Sequence, residues 1–369
     1  MLKLMVVVGT RPQIIKSAPI VHEAEKHRDV ELQLVHTGQH YDYELSKIFF
    51  DENDLPPPRA NLEVGSGSHA YQTAQIMTKL EAILLDYKPD IVLVPGDTNS
   101  ALGAALTSVK LHLKVAHVEA GARSYDMFMA EEVNRRIIDH ISSSLFAVSE
   151  NCKNNLHKES VLGDVDVTGD TMYDAYLKHL PQAKKCNILD KLDLDNKEYD
   201  LLTLHRAENV DDKDTFLGMI EAILASDLKI VFPIHPRSKS KIKELGIEPS
   251  AKNLTLIEPL GYHDMLNLLT SARFALTDSG GLQKEAFWSK VPCITLRNET
   301  EWIETNKLGV NLLAGTQKDK IIKTIQYAIK HQDDLLMRFK NVINPYGDGN
   351  ASQRIVSLLR GEEKAKSNA

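Results

Sequence analysis

Short runs that are apolar at nearly every position return along the whole chain. They are Leu2–Val8, Gln33–His36, Ile91–Val94, Val115–Val118, Leu145–Val148 and Val165–Thr168, then Leu201–Leu204, Ile230–Ile234, Leu254–Ile257, Phe274–Thr277 and Cys293–Leu296. Between them lie stretches with the i, i+3 or i+4, i+7 spacing of an amphipathic helix: Ile76/Leu80/Ile83/Leu84, Leu102/Ala105/Leu106/Val109, Phe216/Ile220/Ile223/Leu224 and Ile321/Ile322/Ile325/Ile329. A strand apolar on both faces must be covered on both faces, so such runs alternating with helices predict parallel sheets sandwiched by helices. The pattern occurs twice, and two doubly wound α/β domains are expected.

The length of 369 residues suits two domains of about 150 residues each. The expected boundaries are 1–175 for an N-terminal Rossmann-like domain and 176–350 for a C-terminal one. A helix over 351–360 and a disordered tail over 361–369 follow. The charged stretch Lys178–Asp200, with Pro181, reads as a linker or hairpin-like insert. Lys and Arg number 44 against 51 Asp and Glu, a net charge of −7, which argues against a broad nucleic-acid surface. No apolar run approaches the ~18 residues of a membrane span, and Met1–Val8 is too short for a signal peptide. Cys152, Cys186 and Cys293 lie far apart with no CxxC spacing, which reads as reduced thiols in a cytoplasmic protein without structural zinc.

In open α/β sheets ligands bind beyond the carboxyl ends of the strands, so the residues after each run are the informative ones. Leu2–Val8 is followed by Gly9-Thr10-Arg11-Pro12, with Lys16 one turn into the next helix. Ile91–Val94 leads to Pro95-Gly96-Asp97-Thr98, and Val115–Val118 leads to Glu119-Ala120-Gly121. In the second half the corresponding turns are His205-Arg206, His235-Pro236-Arg237 and Asp278-Ser279-Gly280-Gly281. Charged and glycine-rich turns shared by both halves suggest one cleft walled by both domains.

Ser279, Gly280 and Gly281 open a helix whose free amides suit an anion such as a diphosphate, although a plain capped turn has the same composition. Glu285, nearly two turns on, could accept hydrogen bonds from ribose hydroxyls or be a solvated helix residue. Arg11, Lys16, His205 and Arg206 bring positive charge to the strand ends, and Arg suits bidentate phosphate contact. Asp97 and Glu119 directly follow buried-type strands, where an unpaired carboxylate is costly without a partner or a task. Glu131 and Glu132 compete with a simpler explanation, helix ion pairs to Arg135 and Arg136 at i+4. The chain has no G-x-G-x-x-G after its first strand, no P-loop and no H-E-x-x-H pair. His36/His40 and His112/His117 read as capping or surface residues rather than metal ligands.

These motifs resemble those of the non-hydrolysing UDP-N-acetylglucosamine 2-epimerases and their relatives acting on UDP-2,3-diacetamido-2,3-dideoxyglucuronate. The matching segments are Gly9–Lys16, His36–His40, Pro95–Asn99, His117–Gly121, Glu131–Arg135, His205–Asn209, Pro233–Arg237, Asp278–Glu285 and Asn344–Gly349. They run in order along essentially the whole chain. The resemblance implies a GT-B-like architecture whose C-terminal helix returns to the first domain, with no cofactor and no metal. It also implies a UDP-sugar substrate, no nucleic-acid or membrane partner, and a homodimer. Arg11, His205, Ser279 and Gly280 would hold the diphosphate, with Arg206, His235 and Gly281 beside them, Glu285 on the ribose and Lys16 near the sugar or phosphate. Asp97, Glu119 and Glu131 would be the acid/base carboxylates, with His205 joining them in catalysis. The implied reaction converts UDP-GlcNAc to UDP-ManNAc and feeds surface polysaccharide or glycan synthesis.

Elementary chemistry fits that implication. The C2 proton of such a sugar has no neighbouring carbonyl, and without NAD no ketone can form. Elimination of UDP from C1, loss of the C2 proton to a carboxylate and re-addition with protonation of the other face remains. That route needs a diphosphate clamp and acids and bases near C2. Crowded carboxylates separate one another's pKa values, so one can be an acid while another is a base. Ala130 replaces the family's usual proline before the Glu pair, which implies a less rigidly placed Glu131. Trp302 replaces the arginine of T-E-R-P-E, and Gln13 and Gln283-Lys284-Glu285 lean toward the diacetamido-glucuronate enzymes. Asp42 stands where relatives regulated by a second UDP-GlcNAc carry glutamine. A GT-B glycosyltransferase shares the clamp but would need an acceptor, and a silent sugar-nucleotide sensor would not retain the carboxylates.

Overall fold

The computed structural model describes residues 1–39, 49–246, 253–340 and 342–361. His40, Asp42 and the tail beyond Gly361 therefore lie outside the described residues. The chain divides into two compact units, one of Met1–Leu177 with the segment from Pro345 onward, the other Lys178–Asn344.

The first unit holds a seven-stranded sheet ordered β3-β2-β1-β4-β5-β6-β7. Its strands are β1 (Leu2–Val8), β2 (Val30–His36), β3 (Ala60–Asn61), β4 (Ile91–Pro95), β5 (Lys114–Ala120), β6 (Ser144–Ala147) and β7 (Asp164–Val167). Every pairing is parallel, with Leu4 opposite Leu32 on one side and Ile91 on the other. The continuous apolar run of β1 serves both faces. Leu4, Val6 and Val8 enter one core with Ile14, Ala18 and Val21, while Met5 and Val7 enter the opposite core with Ile76, Leu80 and Leu84. Helix Ala351–Leu359 belongs to this unit, where Ile355 and Val356 are buried in the same core as Leu4 and Ile14. Its start is capped by Asp174, which accepts from the amides of Ala351 (3.1 Å) and Ser352 (2.7 Å) and from the Ser352 hydroxyl (2.7 Å).

The second unit holds a six-stranded parallel sheet ordered β10-β9-β8-β11-β12-β13. Its strands are β8 (Asp200–Thr203), β9 (Ile230–Pro233), β10 (Leu254–Ile257), β11 (Ala275–Thr277), β12 (Cys293–Thr295) and β13 (Asn311–Leu313). Leu202, Phe216, Ile220, Ile223, Phe232, Leu276 and Ile294 are among its core residues. Both sheets reverse strand order once near the middle, at β1/β4 and at β8/β11, the switch points where doubly wound folds place their ligands.

The expectation of a linker or hairpin over Lys178–Asp200 is corrected. Helix Thr171–Ala183 runs through Pro181, and a second short helix spans Ile188–Leu192. Pro181 lies in the last turn, so the amide bond it omits and the kink it introduces affect only the helix end. Ala183 and Ile188 are buried there, so the charged composition concealed a packed segment. Strands β3 and β13 went unread because they are short and lack an apolar run.

Candidate active site

At the first switch point, Gln13 ties the two strand ends together. Its side-chain oxygen accepts from the Gly9 amide at 2.9 Å, and its nitrogen donates to the Pro95 carbonyl at 2.8 Å. Pro12 fits the first turn of helix Arg11–Glu25, because an amide there would have no helical partner. Arg11 begins that helix, exposed, with its guanidinium 5.7 Å from the Phe49 ring centre. One turn on, Lys16 donates to Glu119 Oε1 at 2.8 Å. Thr98 caps helix Asn99–Lys110 by accepting from the Ala101 amide, which leaves Asp97 on the turn before it. Asp97 accepts from Arg135 at 2.7 Å, and its carbonyl accepts from Asn134 at 2.9 Å.

Glu119 is nearly buried and has φ +70°, a left-handed conformation unusual for a residue with a Cβ. The pairing of β5 with β6 shifts register between Val118 and Ala120, so Glu119 is the extra residue of a bulge. Bulges beside sites re-aim a side chain, and here the carboxylate meets Lys16.

The Glu pair separates by burial. Glu131 is exposed on the first turn of helix Ala130–Ile141. Glu132 is fully buried, accepting from the Ser124 amide (2.9 Å) and hydroxyl (3.1 Å) and lying 3.3 Å from Arg135. The competing explanation, ion pairs at i+4, is not the arrangement that forms. Arg135 reaches Asp97 and, at i+3, Glu132, while Arg136 reaches Glu159 at 3.2 Å. Met129 offers this helix no side-chain cap, so the Ser124–Glu132 contacts hold the turn that begins at Ala130.

The reading of His117 as a capping or surface residue is also corrected. Its side chain is wholly buried, with Nδ1 at 2.7 Å from Asp139 and Nε2 at 2.9 Å from the Gly96 carbonyl. His36 is buried too, and burial lowers its pKa although Asn61 opposes the shift.

At the second switch point Asp278 organises the turns. It is fully buried and accepts from the amides of His205 (2.9 Å) and Arg206 (2.8 Å) and from Asn209 (3.2 Å), with His205 Nδ1 at 3.1 Å. Burial alone would raise its pKa, but His205 and these amides bring the carboxyl below its usual range. The His205 ring lies 5.6 Å from that of His235, which caps helix Pro236–Glu244 by accepting from the Arg237 amide. Arg206 stands 3.9 Å from Glu301, itself held by Arg297 through bonds of 2.8 and 3.0 Å.

Ser279 caps helix Gly280–Trp288, leaving Gly280 and Gly281 as its first residues. A Cβ on Gly280 would come within 3.2 Å of Trp302 Nε1. Trp302 is buried, with the buried Lys284 ammonium 3.8 Å from its ring centre. Lys284 and Trp302 thus make one cation–π contact beside Gly280. Glu285 is nearly buried and accepts from the Tyr262 hydroxyl at 2.9 Å. Sequence reading passed over Asp139, Tyr262 and the buried role of Asp278. Only Asp278 carried a signal, its place directly after an apolar strand.

Among the described residues no group of three or more His, Cys, Asp or Glu could hold a metal ion. No described helix is long and apolar enough to cross a membrane. The three cysteines are free thiols.

Two doubly wound parallel sheets with charged switch-point turns define an α/β enzyme of the GT-B-like class. The family model described as UDP-N-acetylglucosamine 2-epimerase matches residues 22–360. A Methanococcus maripaludis protein named UDP-N-acetylglucosamine 2-epimerase homolog is 46% identical over 97% of this chain and 99% of its own. A crystal structure of Methanocaldococcus jannaschii UDP-GlcNAc 2-epimerase, in complex with UDP-GlcNAc and UDP, superposes with a TM-score of 0.88 at 44% identity. It covers 98% of this chain and all of its own. The Pseudomonas aeruginosa UDP-2,3-diacetamido-2,3-dideoxy-D-glucuronate 2-epimerase is 37% identical over 97% of this chain and 99% of its own. The chain belongs to the UDP-N-acetylglucosamine 2-epimerase family, and it is an isomerase.

Proposed function

We propose that this protein interconverts UDP-GlcNAc and UDP-ManNAc without hydrolysis, by elimination and re-addition of UDP. The observation that carries the reading is the pair of carboxylates, Asp97 and Glu119, each at a strand end and each held by a cation, Arg135 and Lys16. The crystal complex of the Methanocaldococcus jannaschii relative with UDP-GlcNAc and UDP supports the choice of sugar nucleotide.

In the forward direction the C1–O bond breaks and its electron pair leaves with UDP. A carboxylate takes the C2 proton, and the C2–H electrons form the C1=C2 bond of a glycal. In the return step UDP oxygen adds to C1 and a proton reaches C2 on the opposite face. Asp97, Glu119 and the exposed Glu131 are the proposed acids and bases, with His205 assisting. Arg11, Lys16, Arg206 and His235, with Ser279, Gly280 and Gly281 at a helix start, offset the diphosphate charge. Glu285, oriented by Tyr262, receives the ribose hydroxyls.

A second reading, epimerisation of the diacetamido uronate, is favoured by the 37% identity to the Pseudomonas aeruginosa enzyme of that name. One experiment addresses both: incubate the protein with each sugar nucleotide in D₂O and follow C2 by NMR. Deuterium at C2 with UDP-GlcNAc, and none with the diacetamido uronate, supports the first reading. The converse supports the second. Exchange that requires an acceptor, or release of free N-acetylmannosamine, would overturn both.

A further inference from the structure

Two of the proposed acid/base turns of the first unit, those of Asp97 and Glu119, rest on one buried pair that the mechanism does not use. His117 Nε2 faces the carbonyl of Gly96, the residue immediately before Asp97, at 2.9 Å. On its other side Nδ1 faces Asp139 Oδ1 at 2.7 Å. The second oxygen of Asp139 accepts from the amide of Gly121, two residues after Glu119, at 3.2 Å. Gly96 also donates its amide to Val118, the residue before Glu119, at 2.9 Å. The turns carrying Asp97 and Glu119 are therefore laced to each other and to the same two side chains.

We propose that His117 and Asp139 form a positioning pair that sets the aim of Asp97 and Glu119. The proposal rests on the epimerase reading for what that aim serves. Two features make it more than packing. Glu119 is the bulge residue and sits at φ +70°, so it persists only if its surroundings over-determine it. The pair fixes the chain before and after it, Val118 one residue before through Gly96 and Gly121 two residues after through Asp139.

The second feature is the charge pattern. Both nitrogens of His117 face oxygen atoms, a carboxylate on one side and a carbonyl on the other, so the ring is held from both edges. Burial alone would raise the pKa of Asp139, but His117 and Arg123, at 2.7 Å, hold it below the usual range. Arg123 in turn meets Glu159 at 2.7 Å, and Glu159 meets Arg136. Positive and negative groups alternate, as burial of charge requires. Asp139 lies on the same helix as Arg135, the partner of Asp97, which ties that helix to the turns a second way.

His117→Gln and Asp139→Asn test the pair. For folded variants the expected result is a fall in kcat of about a hundredfold, the cost of misplacing a reacting group by about 1 Å. KM should hold, and so should the UDP affinity measured by calorimetry, because most of the proposed diphosphate residues, Arg206, His235, Ser279, Gly280 and Gly281, belong to the other unit. Crystal structures of the variants should show both carboxylates displaced. A merely structural role would reduce the yield of folded protein and leave kcat per folded molecule unchanged. Wild-type kcat in a folded variant, or carboxylates unmoved in its structure, would overturn the proposal. If neither variant folds, hydrogen exchange on the wild type decides. The Gly121 amide should exchange only through global unfolding, and loop-like exchange there would refute the clamp. If the wild type exchanges no C2 proton from either sugar nucleotide, the epimerase reading fails separately, and the variant structures still decide the positioning.

Discussion

Asp278 offers a stringent test, because two substitutions at one atom cluster should separate stability from function. In Asp278→Ala, the amides of His205 and Arg206 and the side chain of Asn209 lose their acceptor, as does the more exposed His205 ring. At about 1 kcal/mol for each partly solvated donor, and more for the fully enclosed Asn209, the loss should reach about 3 kcal/mol. In Asp278→Asn, the amide oxygen can still serve both backbone donors while its NH₂ turns toward His205 Nδ1, now 3.1 Å from a carboxylate oxygen. Stability should then fall by only about 1 kcal/mol, the difference between charged and neutral acceptors. The cost moves to His205. Facing a donor, its Nδ1 must accept, which fixes the ring hydrogen on Nε2 and removes the carboxylate beside the ring. Losing one charged contact to a diphosphate costs about 2 kcal/mol, roughly thirtyfold in UDP affinity.

Urea unfolding followed by circular dichroism reads the first quantity, and titration calorimetry with UDP reads the second. The pH dependence supplies a further check. Because folding lowers the Asp278 pKa, its contribution is present above the ordinary carboxylate range near pH 4 and is lost as pH falls through the lowered value. The stability advantage of wild type over Asp278→Asn should therefore shrink in acid. Equal stabilities for the Ala and Asn variants, or wild-type UDP affinity in Asp278→Asn, would refute the reasoning.

The adjacent glutamates should behave oppositely: Glu132→Ala strips buried Arg135 and Ser124 of a partner and should cost about 3 kcal/mol in chemical unfolding. Glu131→Ala, on the exposed face of the same turn, should cost less than about 0.5 kcal/mol and appear instead in the rate of C2 deuterium exchange. Asp174→Ala removes the acceptor for Ala351 and Ser352 and should cost about 2 kcal/mol, with early proteolysis near residue 350 as the local readout.

The strands were legible where a run was apolar on both faces, as in Leu2–Val8, which has the same bounds in the structure. Legibility failed at Lys178–Asp200, where helix Thr171–Ala183 tolerates Pro181 near its end and buries its apolar residues beneath a charged exterior. It failed again at β3 and β13, which take their strand geometry from a neighbour already in the sheet. The residues proposed to touch substrate were readable because they follow apolar runs. Those that hold them were not. His117, Asp139 and Arg135 lie within a strand or a helix and Tyr262 opens one, where composition does not distinguish a positioning side chain from a surface one.

Period and polarity are local properties of the chain, so sequence alone determined the α/β class, the two doubly wound sheets and the strand-end turns. Partnership is not local. His117 meets Gly96 across 21 residues and Asp139 across 22, Lys16 meets Glu119 across 103, and His205 meets Asp278 across 73. Parallel pairing brings such distant strand ends side by side, and hydrogen-bond geometry then chooses among the charges gathered there. Tertiary structure decided which of two adjacent glutamates is buried, where Arg135 reaches, and that a histidine resembling a surface residue lies buried between two proposed acid/base turns.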